Sequence, residues 1–225
     1  VIYTFKGVID MKIAVIGAAG KAGKHILREA IMRNHDATAI VKNQSNLQVT
    51  DATVIESDLF HLTKEQIEPF DVLVNAFAPS PGEEHLHVIA GRYLISLLEG
   101  TTKKLFVVGS SGCLFVNKEK TLRLMDTDNY PEELIPNAKA QLQNLQDLEQ
   151  SPIHWTFVIP SAMFDSDGPR TGHYITGKEK LLVNSQYNSY ISYADFAVAL
   201  LDEIENNDHH NISFTVASEN VTTAS

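Results

Sequence analysis

The run Gly17-Ala18-Ala19-Gly20-Lys21-Ala22-Gly23 constrains this chain more than any other stretch of it. It follows the apolar, β-branched segment Lys12-Ile13-Ala14-Val15-Ile16. It opens a stretch of helical period, about Lys21 to Arg33, whose side chains Ala22, Ile26, Leu27, Ala30 and Ile31 share one face. A strand that ends in glycines and turns at once into a helix solves a narrow problem. The backbone must turn tightly, and the unpaired N–H groups of the first helical turn must stay open to an approaching group. The pyrophosphate of a dinucleotide suits such a turn.

Apolar β-branched runs and helical stretches go on alternating, which is the pattern of parallel βαβ units. Strands are predicted at Ala37 to Val41, Thr53 to Glu56, Asp71 to Asn75, Lys104 to Val108 and Trp155 to Ile159. A short strand is predicted at Lys180 to Val183 and a last one at Ile212 to Val216. Helices are predicted over about Glu83 to Glu99, Ile135 to Gln150 and Tyr193 to Ile204, and Phe164 to Gly177 reads as a loop. Ser192 and Asp195 suit a variant capping box at the start of the last helix. The fold class is therefore α/β: a Rossmann-like, doubly wound, mostly parallel sheet with helices on both faces.

Residues 11–225 read as one domain, with no repeat or linker to divide them. Residues 1–10 precede Met11 without a signal-peptide pattern and read as a leader or expression remnant, although Val1 to Phe5 is β-prone. The formal net charge of -10 disfavours nucleic acid and anionic membranes as partners and leaves a small molecule. The single cysteine, Cys113, allows no intrachain disulfide, and no apolar run is long enough for a membrane helix. A reduced, cytoplasmic protein is expected, as a monomer or homodimer. Metal binding is not expected, because His85 and His87 point apart on a helix.

The expected cofactor contacts come from the ends of successive strands. Gly17, Ala19, Gly20, Lys21, Ala22 and Gly23 would cradle the pyrophosphate. Lys42 ends the second strand, where a cation neutralises a 2′-phosphate and a carboxylate would bind free ribose hydroxyls. NADP is thus favoured, with NAD open, and Asn43 and Ser45 are further candidate donors. Asp58 follows the third strand near the place for adenine, Asn75, Ala76 and Phe77 follow the fourth, and Pro160 ends the sixth.

These motifs, with Val108-Gly109-Ser110-Ser111-Gly112 and Pro160-Ser161-Ala162-Met163-Phe164, resemble those of atypical short-chain dehydrogenases/reductases. The nearest resemblance is to NAD(P)H-binding proteins of the NmrA-like group, described as NADH-flavin reductase-like or biliverdin reductase B-like. It spans residues 11–217 and is most specific in the runs Pro169 to Lys178 and Tyr190 to Asp195. It implies a seven-stranded parallel sheet, a nicotinamide cofactor, and hydride transfer to flavins, quinones or similar conjugated acceptors. Flavin would then be a substrate, not a bound prosthetic group.

One part of the pattern is missing. Dehydrogenases acting on alcohols and ketones use a Tyr-x-x-x-Lys pair on the helix after the fifth strand. Here that helix begins Ile135-Pro136-Asn137-Ala138-Lys139 and holds no tyrosine. Ser110 and Ser111 fall where the catalytic serine of such dehydrogenases sits, and Tyr174-Ile175-Thr176-Gly177-Lys178 is the one literal match to the pair. Ser111 and Tyr174 are accordingly the candidate catalytic residues, with Phe164 and Arg170 as candidate substrate contacts. The missing tyrosine leaves two readings open: a reductase of conjugated acceptors, where positioning matters more than acid–base help, or a non-catalytic redox-sensing regulator of the NmrA type. A nucleotide-sugar epimerase fits less well, since it needs the same tyrosine.

Overall fold

A computed structural model describes residues 10–49 and 51–219, so residues 1–9 of the expected leader lie outside the described residues. The chain forms β1 (Lys12–Ile16), α1 (Lys21–Met32), β2 (Asp36–Val41) and β3 (Thr53–Glu56), then α2 (Lys64–Ile67) and β4 (Val72–Asn75). It continues through α3 (Leu86–Leu98), β5 (Lys104–Val108), α4 (Ile135–Glu149) and β6 (His154–Ile159). The short strands β7 (Met163–Asp165), β8 (Ile175–Gly177) and β9 (Tyr190–Ser192) come next, before α5 (Tyr193–Asn206) and β10 (Ile212–Ala217).

The main sheet runs β3-β2-β1-β4-β5-β6-β10-β8. Its first seven strands are parallel, and β8 closes the edge antiparallel to β10 with Gly177 opposite Thr215. The central strands are apolar over most of their length because both faces are covered. Alternation then sorts their side chains: Ile13 and Val15 join α1 and α5 in one core, while Ala14 and Ile16 join α3 and α4 in the other. The stripe Leu142, Leu145 and Leu148 packs on this second face of the sheet.

Two expectations fail in the C-terminal third. Lys180 to Val183 is not a strand: Lys180 makes only an isolated bridge to Phe115, and Leu181 donates its N–H to the Phe115 carbonyl at 2.9 Å. The strand lies earlier, at β8, inside the stretch read as a loop. β7 and β9 also pair, parallel to each other, as a separate two-stranded sheet. Strands of three residues hold too little periodicity to be seen in sequence.

Half of the expected cap is present. Ser192 accepts from the Asp195 N–H at 2.9 Å. The Asp195 carboxylate does not reach back to complete the box. It accepts instead from the Thr171 N–H and hydroxyl, both at 2.7 Å, and from the Gly172 N–H at 2.8 Å. A buried side chain on α5 therefore clips down the strap that leads into β8.

The sequence-order reversal between β1 and β4 opens a crevice at the carboxyl ends of these strands, where an open α/β sheet binds its ligands.

Candidate nucleotide-binding site

Gly17 leaves β1 with a φ of +76°, and a Cβ there would lie 2.7 Å from the Ala76 carbonyl oxygen. Gly23, one turn into α1, would place a Cβ 2.2 Å from the Gly17 carbonyl oxygen. Both positions need glycine: the first for backbone shape and contact with the end of β4, the second so that α1 can close on the turn. Gly20 caps α1 with no side-chain hydrogen bond, and no acidic residue stands in the first turn. The first N–H groups of α1 are left for an anion, with Lys21 exposed beside them.

A hollow of about 390 Å³ lies over this turn, lined by Gly17, Ala19, Lys42, Asp58 and Phe77 among others. Lys42 reaches it from the end of β2 with its side chain 84% exposed, and its ammonium sits 3.2 Å from an Asp58 carboxylate oxygen. The other Asp58 oxygen accepts the Phe60 N–H at 3.1 Å, and that hydrogen bond, more than Lys42, holds its carboxyl below the usual range. Asp58 thus steadies Lys42 as well as lining the same hollow. Asn43 lines the hollow, and its side-chain oxygen accepts both the N–H and the hydroxyl of Ser45, so Ser45 is spent on the turn.

On the other wall, Asn75 is buried and its side-chain oxygen accepts the Phe77 N–H at 3.1 Å. Asn75 and Ala76 shape the wall, while the Phe77 ring stands edge-on to Phe60 and His87. Pro160 is buried at the end of β6. Ser111 begins a tight turn after β5, next to buried Ser110.

The other candidate side chains are drawn elsewhere. Arg170 grips Glu29 of α1 with two hydrogen bonds of 2.8 Å. The Tyr174 hydroxyl donates to Asp202 of α5 at 2.6 Å, and the residue lines a different hollow with Ile175 and Ala217. Burial and the adjoining Asp202 carboxylate raise the Tyr174 hydroxyl well above its ordinary value. Both residues fasten the strap, Arg170 to α1 and Tyr174 to α5, so the structure gives each of them a structural partner away from the glycine turn. Phe164 stacks on Tyr193 at 3.7 Å between centroids and packs on Phe196, so its ring also belongs largely to α5.

Sequence reasoning missed Tyr130, which arrives from the loop before α4. Its hydroxyl interacts with the Ser110 and Ser111 side chains. A Cβ added to Gly112 would lie 2.8 Å from that hydroxyl. The signal is a tyrosine shortly before the helix, outside the Tyr-x-x-x-Lys spacing.

This fold, its glycine turn and the hollow above it define a dinucleotide-binding protein of the doubly wound α/β class. The sequence profile of the NAD(P)H-binding family matches residues 17–206, and the chain belongs to that family. Its resemblance to atypical short-chain dehydrogenases/reductases is thereby borne out. It is 54% identical over 211 residues to the uncharacterized protein YwnB of Bacillus subtilis, covering 93% of this chain and 99% of that one. It also superposes on the crystal structure of SP1627 from Streptococcus pneumoniae, named a "putative NADH-flavin reductase", with TM-score 0.88 and 40% identity, covering 93% of this chain and 100% of the other. A Bacteroides thetaiotaomicron protein named a "putative epimerase" superposes with TM-score 0.82 at 32% identity, covering 92% and 97% of the two chains.

Proposed function

We propose that this protein is an NAD(P)H-dependent reductase that passes hydride to a flavin, quinone or similar conjugated acceptor, with NADPH favoured over NADH. The observation that carries the reading is the open turn at the start of α1 with Lys42 held over the same hollow. The turn fits a pyrophosphate, and the ammonium fits a 2′-phosphate beyond it. The name of the Streptococcus relative supports the acceptor class. So does the chemistry, because hydride transfer between two flat conjugated rings needs mainly alignment at near-attack distance.

The stretch from Phe77 past Ser111 to Pro160 follows the ends of β4, β5 and β6, and it is the place for the nicotinamide and the acceptor. Flavin enters there as a substrate and leaves reduced.

The redox-sensor reading is favoured by Ile135, which stands four residues before Lys139 where a Tyr-x-x-x-Lys pair would hold its tyrosine. One experiment separates the two. NADPH and NADH are titrated calorimetrically, and loss of reduced-nicotinamide absorbance is then followed on adding flavin or quinone. Tight NADPH binding with acceptor-dependent oxidation is expected. Binding without oxidation would favour the sensor, and no binding would overturn both.

A further inference from the structure

The geometry points to Tyr130 as the proton donor of this site, paired with Ser111, for acceptors whose reduction leaves a charged oxygen. This rests on the reductase reading above. When hydride moves from reduced nicotinamide to a quinone, both electrons of the breaking C–H bond go with it, and the acceptor becomes an anion. A proton must then reach the anionic oxygen to give the hydroquinone. We place that proton on the Tyr130 hydroxyl: its O–H bond breaks as the new O–H bond forms, and solvent reprotonates the tyrosinate through Ser111. The sum is quinone, NADPH and one proton giving hydroquinone and NADP⁺.

Three observations converge on Tyr130. Its hydroxyl meets Ser110 and Ser111, directly after β5, a central parallel strand whose carboxyl end faces the ligand side of the sheet. A Cβ at position 112 would lie 2.4 Å from the Ala138 Cβ and 2.8 Å from the Tyr130 hydroxyl, so the absent side chain lets both α4 and Tyr130 close on the turn after β5. The neighbouring groups that could compete are already committed. Cys113 is buried, and burial pushes its thiol up to about 12. Both ring nitrogens of His87 are engaged, by Asn137 at 2.9 Å and Gln141 at 3.2 Å. Lys139 is exposed on α4.

The environment also sets the direction of the chemistry. Burial raises the Tyr130 hydroxyl above its ordinary value, and the interactions with Ser110 and Ser111 offset this only in part. A tyrosine beside a lysine is poised to give and take a proton, but one beside two serines stays protonated and serves as an acid. The site should reduce conjugated carbonyls and fail to oxidise simple alcohols.

The test compares wild type, Tyr130→Phe and Ser111→Ala for NADPH binding and for turnover of 2-methyl-1,4-naphthoquinone across pH, in light and heavy water. Tyr130→Phe is expected to lower kcat by about 100-fold, the usual scale for loss of a general acid, while leaving the NADPH Kd unchanged. It should also change the size of the solvent isotope effect, because water must then protonate the acceptor directly. Wild-type kcat should stay level to about pH 10, the ordinary tyrosine value, and fall only above it. Ser111→Ala should lower kcat less and keep the isotope effect. A Tyr130→Phe enzyme with wild-type kcat and isotope effect would overturn the assignment while leaving the reductase standing. A wild type that binds NADPH but reduces no quinone or flavin would overturn the reductase reading and this one with it. Should Tyr130→Phe not fold, the wild-type pH profile and isotope effect decide: no isotope effect, or a kcat that falls well below pH 10, overturns the role.

Discussion

The rim around the glycine turn and the flank where α1 meets α5 both gather charged and aromatic side chains, but they spend them differently. On the flank, Glu29 accepts from Arg33 and Arg170, and Arg33 goes on to Asp202 and Glu205. His35 meets Glu205 there as well, and Tyr174 meets Asp202. These groups are paired with one another inside the molecule. At the rim, the first turn of α1 carries no side-chain cap, and Lys42 stands 84% exposed with one ionic partner. A polar residue marks a binding site when the fold leaves its capacity unspent, and it marks architecture when the fold uses that capacity up.

The comparison breaks most sharply at Gly23. Gly23→Ala puts a methyl 2.2 Å from a backbone carbonyl, where no flexible side chain can yield. The turn must move, which is expected to cost about 2 kcal/mol of stability or more and to abolish NADPH binding, read by thermal denaturation and calorimetry. A variant that still binds NADPH as tightly as wild type would remove the turn from the site. Next comes Lys42→Ala, which should weaken NADPH by about tenfold or more, the scale of a charge-assisted hydrogen bond, and barely change NADH. Equal losses for both cofactors would show that Lys42 does not read the 2′-phosphate.

The rim was more legible in the sequence than the flank, for physical reasons. The glycine turn, Lys42, Asp58 and the segment after β4 are read from local order alone, because strand, turn and helix are consecutive. β1, β4 and β6 stand out because burial on both faces makes most of each strand apolar. Arg170 is 141 residues from Glu29, and nothing in either neighbourhood announces the other. One hint was available: Glu29 and Arg33 are four apart on α1, the spacing of a helical ion pair. Tyr130 is hidden for the opposite reason: the fold supplies its hydroxyl from a loop before α4, so it obeys no fixed helical spacing. β7, β8 and β9 were too short for their pattern to register.

Acid should loosen the flank before the rim. The Glu29 carboxylate is almost fully buried, which by itself would raise it, but hydrogen bonds from Arg170 and Arg33 outweigh burial and hold it below its ordinary 4.5. A group depressed in the folded state stabilises above its unfolded value, and that stability is lost as pH falls through the folded value. The contribution of Glu29 is therefore present in full above about pH 4.5 and disappears below it. Glu29→Gln should cost about 2 kcal/mol at neutral pH, less than a fully buried pair because the Arg170 side chain is 45% exposed. The Tm difference from wild type should shrink on acidification. A difference that is independent of pH would mean that shape, not charge, holds the strap.

The smallest expected effect falls on the residue that sequence alone made a catalytic candidate. Tyr174→Phe removes one hydroxyl from Asp202, whose other oxygen keeps its 2.7 Å contact with Arg33, so the carboxylate stays paired. The loss should be about 1 kcal/mol of stability, with NADPH affinity and quinone turnover at wild-type levels. Tyr130→Phe should cost stability on the same scale but, unlike Tyr174→Phe, lose turnover. The two tyrosines thus form a matched pair: each brings its hydroxyl to side chains far from it in sequence or beyond its own element. Only Tyr130 presents its hydroxyl to groups at the end of a central parallel strand. If Tyr174→Phe also lost turnover while the cofactor still bound, the strap would have to be coupled to the nicotinamide end of the site, and the division between rim and flank would fail there.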